Sequence, residues 1–232
     1  MASGVEHSGA AGRVPPGPIS PGAPALERGG KKLAAIWTLQ LLVPADRSLF
    51  PQVEAAIRGG VTMVQLREKV RPDGETYRLG LALRELVRRA GAAFVVNDRP
   101  DLAVALRADG VHVGQDDLPV DAVRRVAPGL LVGASCHDLE SARRVQDADY
   151  LGFGPVFPTP SKDDAAAPTG VAALRAVAAE IQRPLVAIGG IALGNAAQLR
   201  GSGVAGAAVI SAILGAADPE AAARDLRKEL GV

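Results

Sequence analysis

The segment Gln65-Leu66-Arg67-Glu68-Lys69 closes a strand-like run, Val61-Thr62-Met63-Val64. Side chains alternate between the two faces of a strand. Gln65, Arg67 and Lys69 therefore project together, while Val64 and Leu66 point the other way. An amide and two cations on one side of an otherwise apolar strand are costly to bury without partners. An anion with several oxygens, such as a pyrophosphate, would pair with all three.

The elements that must position these residues follow one repeated theme. From Leu33 onward a short apolar run ends in polar or glycine residues and is followed by an Ala/Leu/Arg-rich stretch with helical spacing. The apolar runs are Thr38–Val43, Met63–Leu66, Ala93–Val96, Gly110–Val113, Leu130–Ala134, Tyr150–Phe153, Leu185–Ile188 and Ala207–Ile210, eight in all. They are apolar at nearly every position, as expected of parallel strands covered on both faces. Leu79, Leu83, Leu86 and Val87 form one stripe of a helix that Asp73 or Thr76 could cap. Similar stripes lie near Val53–Ile57, Leu102–Leu106, Val120–Val126, Ser141–Val145, Val171–Ile181, Ala196–Leu199 and Ala221–Leu230. Eight strand–helix units predict an α/β protein of the closed (β/α)8 TIM-barrel type. A doubly wound open sheet is the rival; it usually needs fewer units, and no GxGxxG opens a helix here.

Composition narrows the classes. The 232 residues are 48% hydrophobic with a net charge of +1, enough for one domain with a core and without the basic excess of a general nucleic-acid binder. One cysteine, Cys136, excludes an intrachain disulfide and fits a reducing cytoplasm. No apolar run reaches the ~18 residues of a membrane span, and no basic region followed by an apolar core marks a signal peptide at the N-terminus. Residues 1–31 are rich in Gly, Pro, Ala and Ser and read as a disordered tail, in which His7 has no role; residues 32–232 form the barrel.

In such a barrel the chemistry sits at the carboxyl ends of the strands. Seven of those ends are polar here: Gln65 to Lys69, Asn97-Asp98-Arg99, His112 to Asp117, Ser135-Cys136-His137, Gly154 to Lys162, Gly189-Gly190 and Ser211. Asp98 and one of Asp116 and Asp117 come from neighbouring strands and could hold one Mg²⁺, which takes one or two carboxylates and completes its shell with water and phosphate. They could instead cap the helices opening near Pro100 and Pro119. Gly189-Gly190 and Ile210-Ser211 match the phosphate cradle after strands seven and eight, or the glycines simply turn the chain. Thr159, Ser161 and Lys162 lie in a long loop whose cation and hydroxyls suit a second anionic group. His137 is open to two readings, a general base or a polar rim residue ahead of the N-cap Asp138. His112 is expected to pack or hydrogen-bond inside the barrel, Cys136 lacks a neighbouring cation, and Trp37 and Phe50 are assigned to the core.

Six motifs, in order over roughly residues 38–215, resemble the thiamine-phosphate synthase family: Gln-Leu-Arg-Glu-Lys at 65–69, Asn-Asp-Arg at 97–99, Gly-Val-His-Val-Gly-Gln-Asp-Asp at 110–117, Asp149 through Thr159, Ala187 through Ile191, and Val209 through Ile213. The resemblance implies a (β/α)8 barrel that joins a hydroxymethylpyrimidine diphosphate to a thiazole phosphate, releasing thiamine phosphate and diphosphate. It further implies that Gln65, Leu66, Arg67, Glu68, Lys69 and Asn97 bind the pyrimidine diphosphate, that Asp98 and Asp117 bind Mg²⁺, and that Ser135 and Lys162 contact substrate. Thr159, Ser161, Gly190, Ile210 and Ser211 would hold the thiazole phosphate. Arg67, Lys69 and Lys162 would then be catalytic, aimed with the metal at charge on the departing diphosphate. The implied mechanism is dissociative: the electron-rich aminopyrimidine supports a cation that the thiazole nitrogen captures, so no protein nucleophile or strong base is required.

Two departures stand out. Thr159-Pro160-Ser161-Lys162 replaces the family's Thr-x-Thr-Lys, keeping the hydroxyl, and Gln40-Leu41-Leu42-Val43-Pro44-Ala45-Asp46 replaces a Tyr-Leu-Val-Thr-Asp run on the first strand. Two rivals follow, a thiazole tautomerase of similar fold that would use a base such as His137, and a non-catalytic barrel that binds thiazole phosphate as a regulator. The oligomeric state is not legible.

Overall fold

The computed structural model describes residues 27–28, 31–32, 36–159 and 167–231. Eight strands, β1 Leu39–Val43, β2 Met63–Leu66, β3 Ala93–Asn97, β4 Gly110–Val113, β5 Leu131–Cys136, β6 Tyr150–Phe153, β7 Leu185–Ile188 and β8 Gly206–Val209, close into a barrel. Every neighbour is parallel, and β8 pairs with both β7 and β1 to complete the ring. Of the tail expected over residues 1–31, only Glu27–Arg28 and Lys31 are described; Glu27–Arg28 pairs antiparallel with Lys31–Lys32, and the remainder, with His7, lies outside the described residues.

Strand alternation sorts the side chains into two layers. Leu41, Val64, Leu66, Phe94, Val96 and Leu151 face outward into one continuous apolar layer beneath the helices. Met63, Ala93, Val95, Leu131, Tyr150, Val186 and Ala208 face inward and plug the barrel, with Trp37 packed 4.7 Å from Tyr150 between ring centroids. Glycine is required at the middle of β5: a Cβ on Gly133 would run into the Tyr150 and His112 rings. Two large rings therefore fit inside a small barrel because β5 carries no side chain there.

The helices are α1 Phe50–Arg58, α2 Asp73–Arg89, α3 Pro100–Ala105, α4 Val120–Val126, α5 Leu139–Arg144, α6 Gly170–Glu180, α7 Ser211–Leu214 and α8 Pro219–Leu230, with a 3₁₀ turn at Ala196–Leu199 after β7. Phe50 packs against the outer layer, as its core assignment required. Neither Asp73 nor Thr76 caps α2. Pro72 holds the cap position, Asp73 enters the first turn and receives Arg99 at 2.9 and 3.1 Å, and the Thr76 hydroxyl donates back to the Pro72 carbonyl at 3.1 Å. The eighth strand ends one residue before the expected Ile210, because Ser211 at once opens the short helix α7. No helix among the described residues is long and apolar enough to cross a membrane.

Candidate active site

The inward positions of the upper barrel line a narrow funnel that opens to solvent at the rim. Gln40, Gln65, Arg67, Asn97, His112, Ser135 and Tyr150 supply its polar wall. Arg67 and Gln65 share this face, as the alternation from Met63 requires. Arg67 forms no ion pair with any carboxylate among the described residues, which leaves a positive charge open to the funnel. Below it His112 bridges two partners, with Nδ1 3.0 Å from the Tyr150 hydroxyl and Nε2 3.0 Å from Ser135 Oγ. Burial pushes the Tyr150 phenol well above its ordinary range, although a hydrogen bond with Gln65 pulls the other way. His112 thus hydrogen-bonds within the barrel, as expected of a histidine inside strand four.

The Gln40 amide departs from this satisfied network. Gln40 is only 1% exposed and lines the funnel, yet its Nε2 has no hydrogen-bond partner among the described residues. An unpaired buried donor costs about 1–3 kcal/mol. Sequence reasoning missed Gln40, although a signal was present: it is the one long polar residue between the apolar positions of β1, and it falls on the inward register with Leu42. Tyr150 was missed too, because an aromatic at the start of an apolar strand reads as core.

Asp98 and Asp117 meet at the rim between β3 and β4, their carboxyls within hydrogen-bonding reach of each other. Neither caps a helix. Arg99 and Pro119 hold the cap positions of α3 and α4 without side-chain caps, and Asp117 Oδ2 instead accepts from the Gly114 N–H at 2.7 Å. Asp98 sits in the left-handed region with φ of 64°, a strained conformation for a residue with a Cβ. Burial first, and the neighbouring Asp117 second, push its carboxyl above the ordinary range, while Lys69 Nζ at 3.3 Å pulls it down. Two carboxylates forced together beside one lysine form a donor set that fits a divalent cation completing its shell with water and phosphate. Two carboxylates suit a lightly coordinated ion of the Mg²⁺ kind, which takes one or two protein carboxylates.

Lys69 rises from the same segment but faces an outer cavity shared with Glu68, Arg71, Asp73, Asn97, Asp98 and Arg99. Asn97, at the end of β3, borders both spaces. Glu68 points away from the funnel. Its carboxylate accepts from the N–H groups of Ala45, Lys69, Val70 and Arg71 at 2.9–3.2 Å. Partial burial raises its carboxyl, but those four donors together hold it below the usual range. The Leu66 side chain is buried in the outer layer, where its Cδ2 lies against Gly80.

Across the rim, Gly189 and Gly190 have φ of 98° and 64°, and a Cβ on Gly190 would strike the Pro158 carbonyl oxygen. The Phe157 N–H donates to the Gly189 carbonyl at 3.0 Å, so the loop after β6 leans on the glycine pair and carries half-buried Thr159 to it. On the adjacent strand Ile210 and Ser211 open α7, whose first N–H groups lack intrahelical acceptors. Ser161 and Lys162 lie outside the described residues. His137 is not on the funnel: its Nδ1 is 2.6 Å from Gln115 Nε2 and its Nε2 is 3.2 Å from Asp138, which caps α5 through Ser141. Cys136 is buried, its thiol pushed up to about 12 by burial and by Asp138.

A funnel with a guanidinium on its wall, flanked by a carboxylate pair and facing a glycine-lined rim, coincides with the span of a known family. The profile described as thiamine monophosphate synthase matches residues 38–213, from the start of the barrel to α7. The chain belongs to the thiamine monophosphate synthase family. Within that family it is similar to a thiamine-phosphate synthase of Chloroflexus aurantiacus, 48% identical over 202 residues that cover 84% of this chain and 94% of the relative. A thiamine-phosphate synthase of Moorella thermoacetica is 46% identical over 199 residues, covering 83% and 95%. Among solved structures, a thiamine phosphate pyrophosphorylase from Pyrococcus furiosus superposes with a TM-score of 0.77 at 40% identity, covering 85% of this chain and 96% of that one. Family membership accounts for the six motifs and for their convergence on one rim.

Proposed function

We propose that this chain is a transferase of thiamine biosynthesis that moves a pyrimidinylmethyl group from diphosphate to the ring nitrogen of a thiazole phosphate, or of its carboxylated form. The C–O bond between the pyrimidine methylene and diphosphate breaks, and its electron pair leaves on the diphosphate oxygen. The thiazole nitrogen lone pair then forms the new C–N bond, which gives thiamine phosphate and diphosphate. The observation that carries this reading is the Arg67 guanidinium in the funnel, without an ion pair among the described residues, next to the Asp98–Asp117 pair at the rim.

Each residue has a part in that account. Gln65, Arg67 and Asn97 orient the pyrimidine diphosphate from the funnel wall, and Lys69 reaches the diphosphate from the outer side. Glu68 acts through the loop by fixing Lys69 and Arg71, and Leu66 contributes backbone at the rim while its side chain anchors β2 in the outer layer. Ser135, oriented by His112, faces the pyrimidine. Gly190, Ile210, Ser211, Thr159 and Ser161 receive the thiazole phosphate, and Lys162 assists the leaving diphosphate. Asp98 and Asp117 would hold Mg²⁺, which when bound supplies positive charge to the leaving group. Fixed cations placed where charge develops lower the barrier without reorganising during the step. A general base is superfluous, consistent with His137 being engaged by Gln115 and Asp138 rather than free. We assign the reaction to the cytoplasm, with small-molecule substrates and neither nucleic acid nor membrane as partner.

Incubating the protein with both substrates and Mg²⁺ tests the proposal. Equimolar diphosphate and thiamine phosphate, lost on adding a chelator, is the expected result. Consumption of a thiazole isomer without diphosphate, or tight thiazole phosphate binding without turnover, would overturn it.

A further inference from the structure

The floor of the funnel holds one polar group that the folded chain leaves unanswered. Tyr150, His112, Ser135 and Gln65 engage one another, whereas the Gln40 Nε2, on a side chain 1% exposed, meets no acceptor among the described residues. Register places it inside the barrel: Gln40 pairs laterally with Met63 and Ala208, both inward residues, one layer below Gln65. The neighbouring floor is apolar, formed by Leu42, Val186, Ile188 and Ala208, so no side chain in that layer can turn to satisfy it. Water is a poor substitute in a space that a heterocycle must enter. A donor kept unpaired in a binding funnel discriminates strongly once a ligand presents the matching acceptor, because a ligand without it leaves the donor desolvated and alone.

We propose that Gln40 is a specificity-determining residue of the pyrimidine subsite, donating its amide N–H to a ring nitrogen of the aminopyrimidine. The inference rests on the transferase reading above and deepens it. An aminopyrimidine suits the site on two counts. Its ring nitrogens are strong acceptors, and its amidine edge sets an acceptor beside an amine donor, the complement of the donor and acceptor of a primary amide.

Kinetics of Gln40→Leu against wild type, with each substrate varied in turn, test the assignment. The variant is expected to raise KM for the pyrimidine diphosphate about tenfold and to leave KM for the thiazole phosphate within about twofold. The ligand-free protein should melt at or above the wild-type temperature, because the orphaned donor is gone. A pyrimidine KM unchanged alongside a raised melting temperature would make the amide a packing defect and overturn the proposal. So would both KM values rising together with a fall in melting temperature. Gln40→Glu, which removes the donor but keeps length and polarity, must lose affinity as Gln40→Leu does; full activity in it would also overturn the assignment. Were the wild type itself to release no diphosphate, the reaction would be at fault rather than Gln40. Calorimetry with the pyrimidine alcohol alone would then decide, a tenfold weaker affinity in Gln40→Leu supporting the contact and equal affinities refuting it.

Discussion

Asp98 concentrates the strain of the site in one side chain. It is held at a positive φ, half-buried, and against a second carboxylate. Its folded-state affinity for a proton exceeds that of the unfolded chain, so its contribution to stability is greatest at acid pH and falls as pH rises through the raised value. Asn tolerates the same backbone region. Asp98→Asn is therefore expected to raise the melting temperature of the metal-free protein at pH 7, while turnover falls by about 10²-fold or more as a metal ligand is lost. A turnover change below about threefold would argue against ligation there. Cys136 is the counter-example, a residue with reactive chemistry made inert by position. Its thiol stays protonated at pH 8, and intact-mass analysis after iodoacetamide should find native protein unmodified and denatured protein fully modified. At this scale the sequence was legible where charge was locally out of place, as at Arg67 and Asp98. It was opaque where a polar atom matters for what it fails to touch, as at Gln40, because the surroundings of that amide are built by residues from other strands, Met63, Val186, Ile188 and Ala208 among them.

Elements turn those residues into a site through their connections. The β2–α2 loop is organised by Glu68, whose carboxylate gathers the N–H groups of Lys69, Val70 and Arg71 and ties them to Ala45 after β1. Removing it frees the backbone that carries Lys69. Glu68→Ala is expected to raise KM for the pyrimidine diphosphate about tenfold, with Arg67, anchored by its N–H to the Val43 carbonyl at 2.8 Å, left in place. Because the folded pKa of Glu68 is depressed, its stabilisation is present above the ordinary carboxylate value and disappears as pH falls through the lower folded one. The melting temperatures of wild type and variant should accordingly differ at pH 7 and converge in acid. Strand positions were legible from apolar runs nearly residue by residue, since both faces are covered. The cap of α2 was not, because a proline took the place that composition offered to Asp73 or Thr76. The helix α7 was not either, since four residues are too few to carry a periodic signal.

The whole molecule is a closed ring, and closure explains why chemistry gathers at one end. Parallel strands deliver every carboxyl end to the same rim, so residues from β2, β3, β4, β7 and β8, far apart in the chain, share one opening. This topology followed from counting eight apolar runs. β1 is paired on both sides, by β8 and β2, which means the ring closes without residues 1–30. Deleting them is expected to leave turnover within about twofold, measured by diphosphate release; a large loss would place the tail over the site. The central claim is that the rim between β2 and β4 gathers positive charge and a divalent ion around a departing diphosphate. Crystals grown with Mn²⁺ and diphosphate test it most directly through the anomalous difference map. The account predicts a manganese peak between Asp98 and Asp117, with the diphosphate bridging it to Arg67 and Lys69. Diphosphate bound elsewhere, with no metal at those carboxylates, would contradict it.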